Sequence, residues 1–249
     1  MGTKIVFFKD QLTKETYNGG ILERKVLGFP HEKSPVKPYS NIFYWSNLIS
    51  DYGCIISEHP HIGFEIMTYV LKGGYETYDK AQNEWISLHE GDVSIVQAGK
   101  GIRHMEKILP RSEVLQIWLD PDFDQYRKND PELSYGSAGT FPIHMFENRH
   151  VRKLGGAETP LSLNSKDVKI ELHEFQAGFH IIPCPEDTVI SGYVLDGYIE
   201  VNEAMLGKND FFKTDGLKEL NIASLVNSKV FMIVTPYQPE YQTYATLSI

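Results

Sequence analysis

Short runs of alternating or wholly apolar residues, each closed by Gly, Asp, Asn or Pro, fill most of the chain. The stretches "CIISEHPHIGFEIMTYVLKGGYETYD", "EWISLHEGDVSIVQAG", "EVLQIWLD", "DVKIELHEFQAG" and "KVFMIVTP" are rich in Val, Ile, Tyr, Phe and Trp. Branched and aromatic side chains pack well on a pleated, half-buried surface, so each reads as strand. No segment holds a helical period over several turns, and only "PDFDQYRKNDPEL" offers a short turn of helix. Many short strands with regular turn punctuation predict an all-β sandwich or barrel.

The strand pattern occurs twice. "YVLKGGYETYD" from Tyr69 is matched by "YVLDGYIEVNE" from Tyr193, and "LHEGDVSIV" from Leu88 by "LGKNDFFKT" from Leu206. A strand, a Gly turn, a strand and a turn into a further strand therefore recur, which predicts two copies of one β domain. The expected division is 1–125 for the first domain, 126–140 for the connection, where Pro, Gly, Ser and Asn interrupt the pattern, and 141–249 for the second.

Composition narrows the class. With 249 residues and 41% hydrophobic residues the chain can bury a sizeable core. A formal net charge of −9 argues against direct nucleic-acid binding, which needs a basic surface. The two cysteines, Cys54 and Cys184, form neither a disulfide framework nor a cysteine-rich zinc motif. No apolar run is long enough to span a bilayer, and the first residues lack a signal-peptide pattern, so a cytoplasmic protein without membrane attachment is expected.

Candidate chemistry sits in two short motifs. In "SEHPHIGFE", His59 and His61 are two apart and face the same side of a strand, with Pro60 turned the other way. In "AGKGIRHME", His104 and Glu106 repeat that spacing. Either pair alone is compatible with ordinary strand residues. Together they offer three imidazoles and a carboxylate, a set suited to a divalent first-row metal with positions left for water, substrate or oxygen. Phe64, Met67, Ile95, Ile102 and Met105 are candidates for the apolar walls of such a site.

The run from His59 to Trp118, through "HPHIGFEIMTYVLKGG", "EGDVSIVQAGKGIRHME" and "LQIWLD", resembles the N-terminal domain of the pirin family within the cupin superfamily. The resemblance implies two cupin-type β-barrels (a bicupin) with few short helices. It implies one metal, held by His59, His61, His104 and Glu106. Iron(II) is the expected ion, with zinc, nickel, copper or manganese able to occupy the ligands in a purified sample. Glu65 fills the glutamate of the general cupin HxHxxxE pattern, but the pirin carboxylate matches Glu106, so Glu65 is expected beside the pocket. Glu106 is also the candidate catalytic base.

Three departures lie next to these ligands. Ile62 follows HPH where pirins usually carry a basic residue, Thr77 replaces a histidine, and "YSNIFYW" stands for an aromatic "FSF"-like run. In the second copy, aligning Tyr69 with Tyr193 sets Pro183, Pro185 and Val189 at His59, His61 and Glu65, and "KELNIASL" at "GIRHME". That copy is expected to bind no metal. His180 has no partner two residues on, and His144, His150 and His173 are expected on the surface or in loops. The resemblance implies quercetin 2,3-dioxygenase chemistry, with a small aromatic substrate and dioxygen as partners. It also leaves open a non-enzymatic, metal-responsive role with a protein partner.

Overall fold

The structure, a computed structural model, describes residues 3–17 and 20–244. In chain order the first strands are β1 (Lys4–Phe7), β2 (Thr13–Tyr17), β3 (Ile21–Leu27), β4 (Ile42–Ser50) and β5 (Cys54–His61). Next come β6 (Glu65–Lys72), β7 (Gly74–Asp79), β8 (Glu84–His89), β9 (Val93–Gln97), β10 (Ile102–Ile108) and β11 (Ser112–Leu119). Helix α1 (Phe123–Tyr126) and β12 (Glu132–Gly136) precede β13 (Ile143–Phe146), β14 (Arg149–Gly155), β15 (Lys169–Phe175) and β16 (Gly178–Pro183). The last are β17 (Thr188–Asp196), β18 (Tyr198–Val201), β19 (Ala204–Gly207), β20 (Phe211–Asp215), β21 (Glu219–Ser224) and β22 (Ser228–Pro236). The short helix expected in "PDFDQYRKNDPEL" is α1, whose first turn is capped by Asp122 accepting from the Gln125 backbone N–H at 3.3 Å.

Two units follow, each made of a seven-stranded and a four-stranded antiparallel sheet. The first unit has the sheets β12-β9-β6-β11-β4-β3-β2 and β5-β10-β7-β8. The second has β1-β20-β17-β22-β15-β14-β13 and β16-β21-β18-β19. Read strand by strand the orders correspond, so the repeat in the sequence is a repeat of the fold. The two sheets of a unit are not joined into one hydrogen-bonded cylinder; they face each other across a core, as in a cupin-type barrel. In the first unit that core joins Ile21, Leu48, Val70 and Val114 to Tyr75, Ile86, Leu88 and Ile108. In the second it joins Phe175, Val194, Phe212 and Met232 to Ile199, Leu206, Leu220 and Ile222. Each large side chain so buried contributes about 1.5–3 kcal/mol.

The units do not follow the expected linear division at 1–125, 126–140 and 141–249. The second unit takes the described N-terminal residues through Leu12, because β1 pairs with β20 (Lys4 opposite Thr214). The first takes everything from Thr13 to Thr140 together with Asn164–Lys166 and the described residues from Tyr241. Residues expected to be a plain connection instead supply β12, which pairs with β9 (Glu132 opposite Gln97). The cause is open hydrogen-bonding capacity: β9 and β20 would otherwise be sheet edges, and each is covered by one further short strand.

Candidate metal centre

β5 and β10 are antiparallel neighbours, with His59 opposite His104 and His61 opposite Ile102. The ladder shifts register between His104 and Glu106, where β5 carries one residue more than β10. That irregularity lies just behind Pro60, a residue with no N–H for the ladder. Alternation on β10 turns His104, Glu106 and Ile108 inward, all buried, and leaves Arg103, Met105 and Lys107 on the other face. Beyond His61, Gly63 adopts φ +75° in the turn into β6, and a Cβ there would meet the Phe123 ring at 2.7 Å.

One ligating nitrogen from each of His59, His61 and His104 lies within 4.8 Å of the others. His59 Nε2 and His104 Nε2 are 3.2 Å apart. Two nitrogens bound to one ion at about 2.1 Å, at roughly tetrahedral or octahedral angles, lie about 3.0–3.4 Å apart. His59 Nδ1 is 2.9 Å from the Ser57 carbonyl, which can only accept, so Nδ1 carries the proton and the Nε2 lone pair faces the cluster. Burial first, then the neighbouring imidazoles, pushes His61 and His104 down to about 3. Both are neutral at physiological pH, the form that ligates a metal.

The Glu106 carboxylate is 2% exposed and its two oxygens do different things. Oε1 accepts from the Tyr75 hydroxyl and from Gln116 Nε2, the latter at 2.8 Å. Oε2 points to the histidines, 3.7 Å from His59 Nε2 and 3.9 Å from His104 Nε2. Burial, then the Glu106 charge, raises the Tyr75 hydroxyl well above its ordinary range, so it remains a donor. Tyr75 and Gln116, both donors to the candidate ligand Glu106, were not singled out from the sequence. Both lie on strands at inward positions, and a buried hydroxyl and a buried amide there were the available signal.

The donor set fits a divalent ion. Three imidazoles converge, one carboxylate oxygen faces them, and the second is held by protein donors, the outer arrangement that orients ligands in metal sites. His104 Nδ1 is buried and makes no hydrogen bond among the described residues.

The other expected pocket residues divide. Phe64 is buried and lines a cleft of about 620 Å³ with His61, Phe29, Phe43, Trp118 and Tyr244. Ile102 lines a second cleft of about 570 Å³, beside His104, Thr77, Tyr78, Asp79 and Arg103. Glu65, Met67 and Met105 do not join the site. On β6, Ile66 and Val70 face the core clusters, which turns Glu65 and Met67 the other way. Met105 is on the outer face of β10.

Glu65 is instead a structural anchor. Its Oε1 accepts from Asn164 N at 2.6 Å and Nδ2 at 3.2 Å, and its Oε2 from Ser165 N at 2.8 Å and Oγ at 2.7 Å. Ile95 is fully buried in the core. Of the departures, Ile62 is 49% exposed on the first cleft, and Thr77 is buried directly opposite Glu106.

The comparisons agree with this architecture. The Pirin family profile matches residues 24–119, which carry all four candidate ligands together with Tyr75 and Gln116. Residues 24–119 are the part of the chain that is similar to the pirin family. A Pasteurella multocida (strain Pm70) protein, provisionally named a quercetin 2,3-dioxygenase, is 28% identical over 189 residues, 70% of this chain and 73% of that protein. The quercetin 2,3-dioxygenase of Escherichia coli K12 is 30% identical over 119 residues, 47% of this chain, and the alignment spans only 44% of the relative. Among solved structures, the nickel(II) complex of the bacterial pirin YhhW from Escherichia coli superposes with a TM-score of 0.79. That match covers 94% of this chain and 99% of the other at 17% identity, a likeness of fold.

The second unit repeats the strands without the candidate ligands. Register sets Leu220 at His104 and Ile222 at Glu106, in the segment expected from the sequence. Opposite them stand Ile182, where β5 has His59, and Cys184, whose N–H bonds the Lys218 carbonyl, where β5 has His61. The sequence alignment set Pro183 and Pro185 there; one more residue lies between Cys184 and Val189 than between His61 and Glu65, which displaces it by one, and the extra residue in β5 restores the match at Ile56 and His180. His173, expected at the surface, is 2% exposed, with Nε2 2.9 Å from Glu171 Oε2. His180 is also buried, its Nε2 2.8 Å from the Gln176 carbonyl. His144 is exposed and His150 half-buried.

Proposed function

We propose that this protein is a metal-dependent dioxygenase of pirin type, acting on a flavonol or related hydroxylated aromatic. The observation that carries this reading is the convergence of His59, His61, His104 and Glu106 beside an aromatic-walled cleft that His61 itself lines. His59, His61, His104 and Glu106 Oε2 would hold the ion, with Fe(II) the ion proposed. A bound Fe(II) supplies the one-electron chemistry that lets dioxygen react with a spin-paired organic substrate.

The chain's own residues do the rest. Flat rings fit between the walls made by Phe29, Phe43, Phe64, Trp118 and Tyr244, where Trp118 meets the His61 ring edge-on at 4.8 Å. Stacking and edge contacts of that kind favour a planar aromatic body over an aliphatic one. Glu106 Oε2 is the carboxylate oxygen able to take the proton of a substrate hydroxyl brought to the histidines. Tyr75 and Gln116 keep Oε1 occupied, so the proton is received on the oxygen that faces the site. Ile62 gives the mouth an apolar residue in place of a basic one, which favours neutral phenolic substrates over anionic ones.

A cytoplasmic location belongs to the same proposal; among the described residues no helix is long and apolar enough to cross a membrane. The role as a metal-responsive binding protein requires no substrate cleft, and the 620 Å³ cleft at His61 weighs for the enzyme. Oxygen uptake tests the choice. Protein loaded anaerobically with Fe(II) should consume oxygen when given quercetin, and His59→Ala should abolish the uptake. Full uptake by His59→Ala would overturn the mechanism.

A further inference from the structure

The second unit lacks the candidate metal ligands, yet it buries a cationic side chain that forms no ion pair among the described residues. Arg149, at the start of β14, is 8% exposed. Its Nε is buried without a hydrogen-bond partner, and it forms no ion pair among the described residues. The nearest acid in effect is Glu171, whose oxygen is already engaged by His173. The guanidinium lies over the Phe146 ring, with Cζ 4.5 Å from its centroid, and 6.0 Å from that of Phe175. Aromatic contact of this kind serves the faces of the guanidinium plane and leaves Nε–H without a partner.

Arg149 lines a cavity of about 230 Å³ at the ends of β14, β15, β17 and β22, with Gln176, Asn227, Lys229, Glu174 and Asp196. Lys229 and Glu174 cancel each other in an ion pair at 2.8 Å. The charges left on the wall are Arg149 and Asp196. Burying a cation without a pairing anion is unfavourable, and an anion that hydrogen-bonds it relieves that cost.

We infer that this cavity is a binding site for a small monocarboxylate, whose planar oxygens pair with the N–H edge of Arg149. A carboxylate matches the guanidinium fork with two parallel hydrogen bonds. Asp196 on the same wall repels a second negative charge, which selects a monocarboxylate over phosphate or a dicarboxylate. Gln176 and Asn227 offer amides to the rest of the ligand. The site lies wholly in the second unit and requires no metal in the first.

The test is a titration of the full chain, labelled with ¹⁵N-arginine, with propionate and separately with inorganic phosphate at constant ionic strength. Propionate should shift the Arg149 Nε–H resonance saturably and raise the melting temperature, with phosphate at least tenfold weaker. Arg149→Lys should weaken propionate at least tenfold and Arg149→Met should abolish saturation, while Lys208→Met, at an exposed position of the same unit outside the cavity lining, keeps a wild-type-like curve. An unsaturable or absent shift in the wild type, equal binding of phosphate, or undiminished affinity in Arg149→Met would each overturn the site. The wild-type titration decides even where a variant fails to fold.

Discussion

The two units differ most where they are most closely superposable. On matched strands the first unit buries His61, His104, Glu106, Tyr75 and Gln116 and half-buries His59. At the same register positions the second buries Leu220, Ile222, Ile199 and Met232 and half-buries Ile182 and Cys184. Both sets fill the space between a seven-stranded and a four-stranded sheet. Ile199, Leu220, Ile222 and Met232 of the second set belong to one core cluster, against which Ile182 and Cys184 pack. The polar set needs hydrogen bonds for Glu106 Oε1, which Tyr75 and Gln116 give, and leaves four donor atoms facing one another. A fold that is stable with the apolar set has no structural need of the polar one. Its presence in one unit is therefore best explained by what the four atoms hold.

The largest effect expected is the loss of that function by transplanting the second unit's residue. His104→Leu should abolish stoichiometric metal binding, read by metal analysis after anaerobic reconstitution, whereas His180→Ala in the second unit should leave the metal content at the wild-type level. The reverse transplant is a stability experiment. Ile222→Glu sets a carboxylate among apolar neighbours with no Tyr75 or Gln116 counterpart, and should cost about 3–5 kcal/mol in urea unfolding. A cost below about 1 kcal/mol would mean that the second barrel tolerates the polar set, and the contrast would fail.

A smaller effect is expected one step out from the ligands. Tyr75→Phe removes one of the two donors on Glu106 Oε1 and should lower metal affinity about 10–100-fold. It should also alter the metal's absorption or EPR spectrum, which a loss of packing alone would not do. The smallest effect separates Glu23 on β3 from its register counterpart Val151 on β14. Burial raises the Glu23 carboxyl from 4.5 to about 7. The folded state therefore holds this proton more tightly than the unfolded chain. Stability from this source is complete below about pH 4.5 and falls as pH rises toward 7. Glu23→Gln should flatten the fall in melting temperature over that window, and an unchanged slope would contradict the assignment.

Much of this contrast was legible in the sequence. The twin cassettes are marked by local strand and turn chemistry, and the spacing of His59, His61, His104 and Glu106 follows from alternation on two strands. Features that depend on distant pairing were not legible. Glu65 looked like a pocket residue until Asn164 and Ser165, about a hundred positions later, took all its acceptor capacity. β1 and β12 are too short to announce which sheet each completes. The turn after β16 is one residue longer than the turn after β5, which shifts the match at His59 and His61 by one, and only the ladder reveals it. His173 looked like a surface histidine because Glu171, its partner, is a common residue on exposed strands.

The central claim is that one of two similar barrels holds a single catalytic ion on His59, His61, His104 and Glu106. Metal analysis of the anaerobically Fe(II)-reconstituted chain, with oxygen uptake on quercetin recorded from the same sample, tests it most directly. The account predicts one ion per chain, oxygen uptake that rises in proportion to iron content, and neither in His104→Leu. Wild-type protein that binds no ion after reconstitution, or oxygen uptake that persists in the iron-free His104→Leu protein, would contradict it.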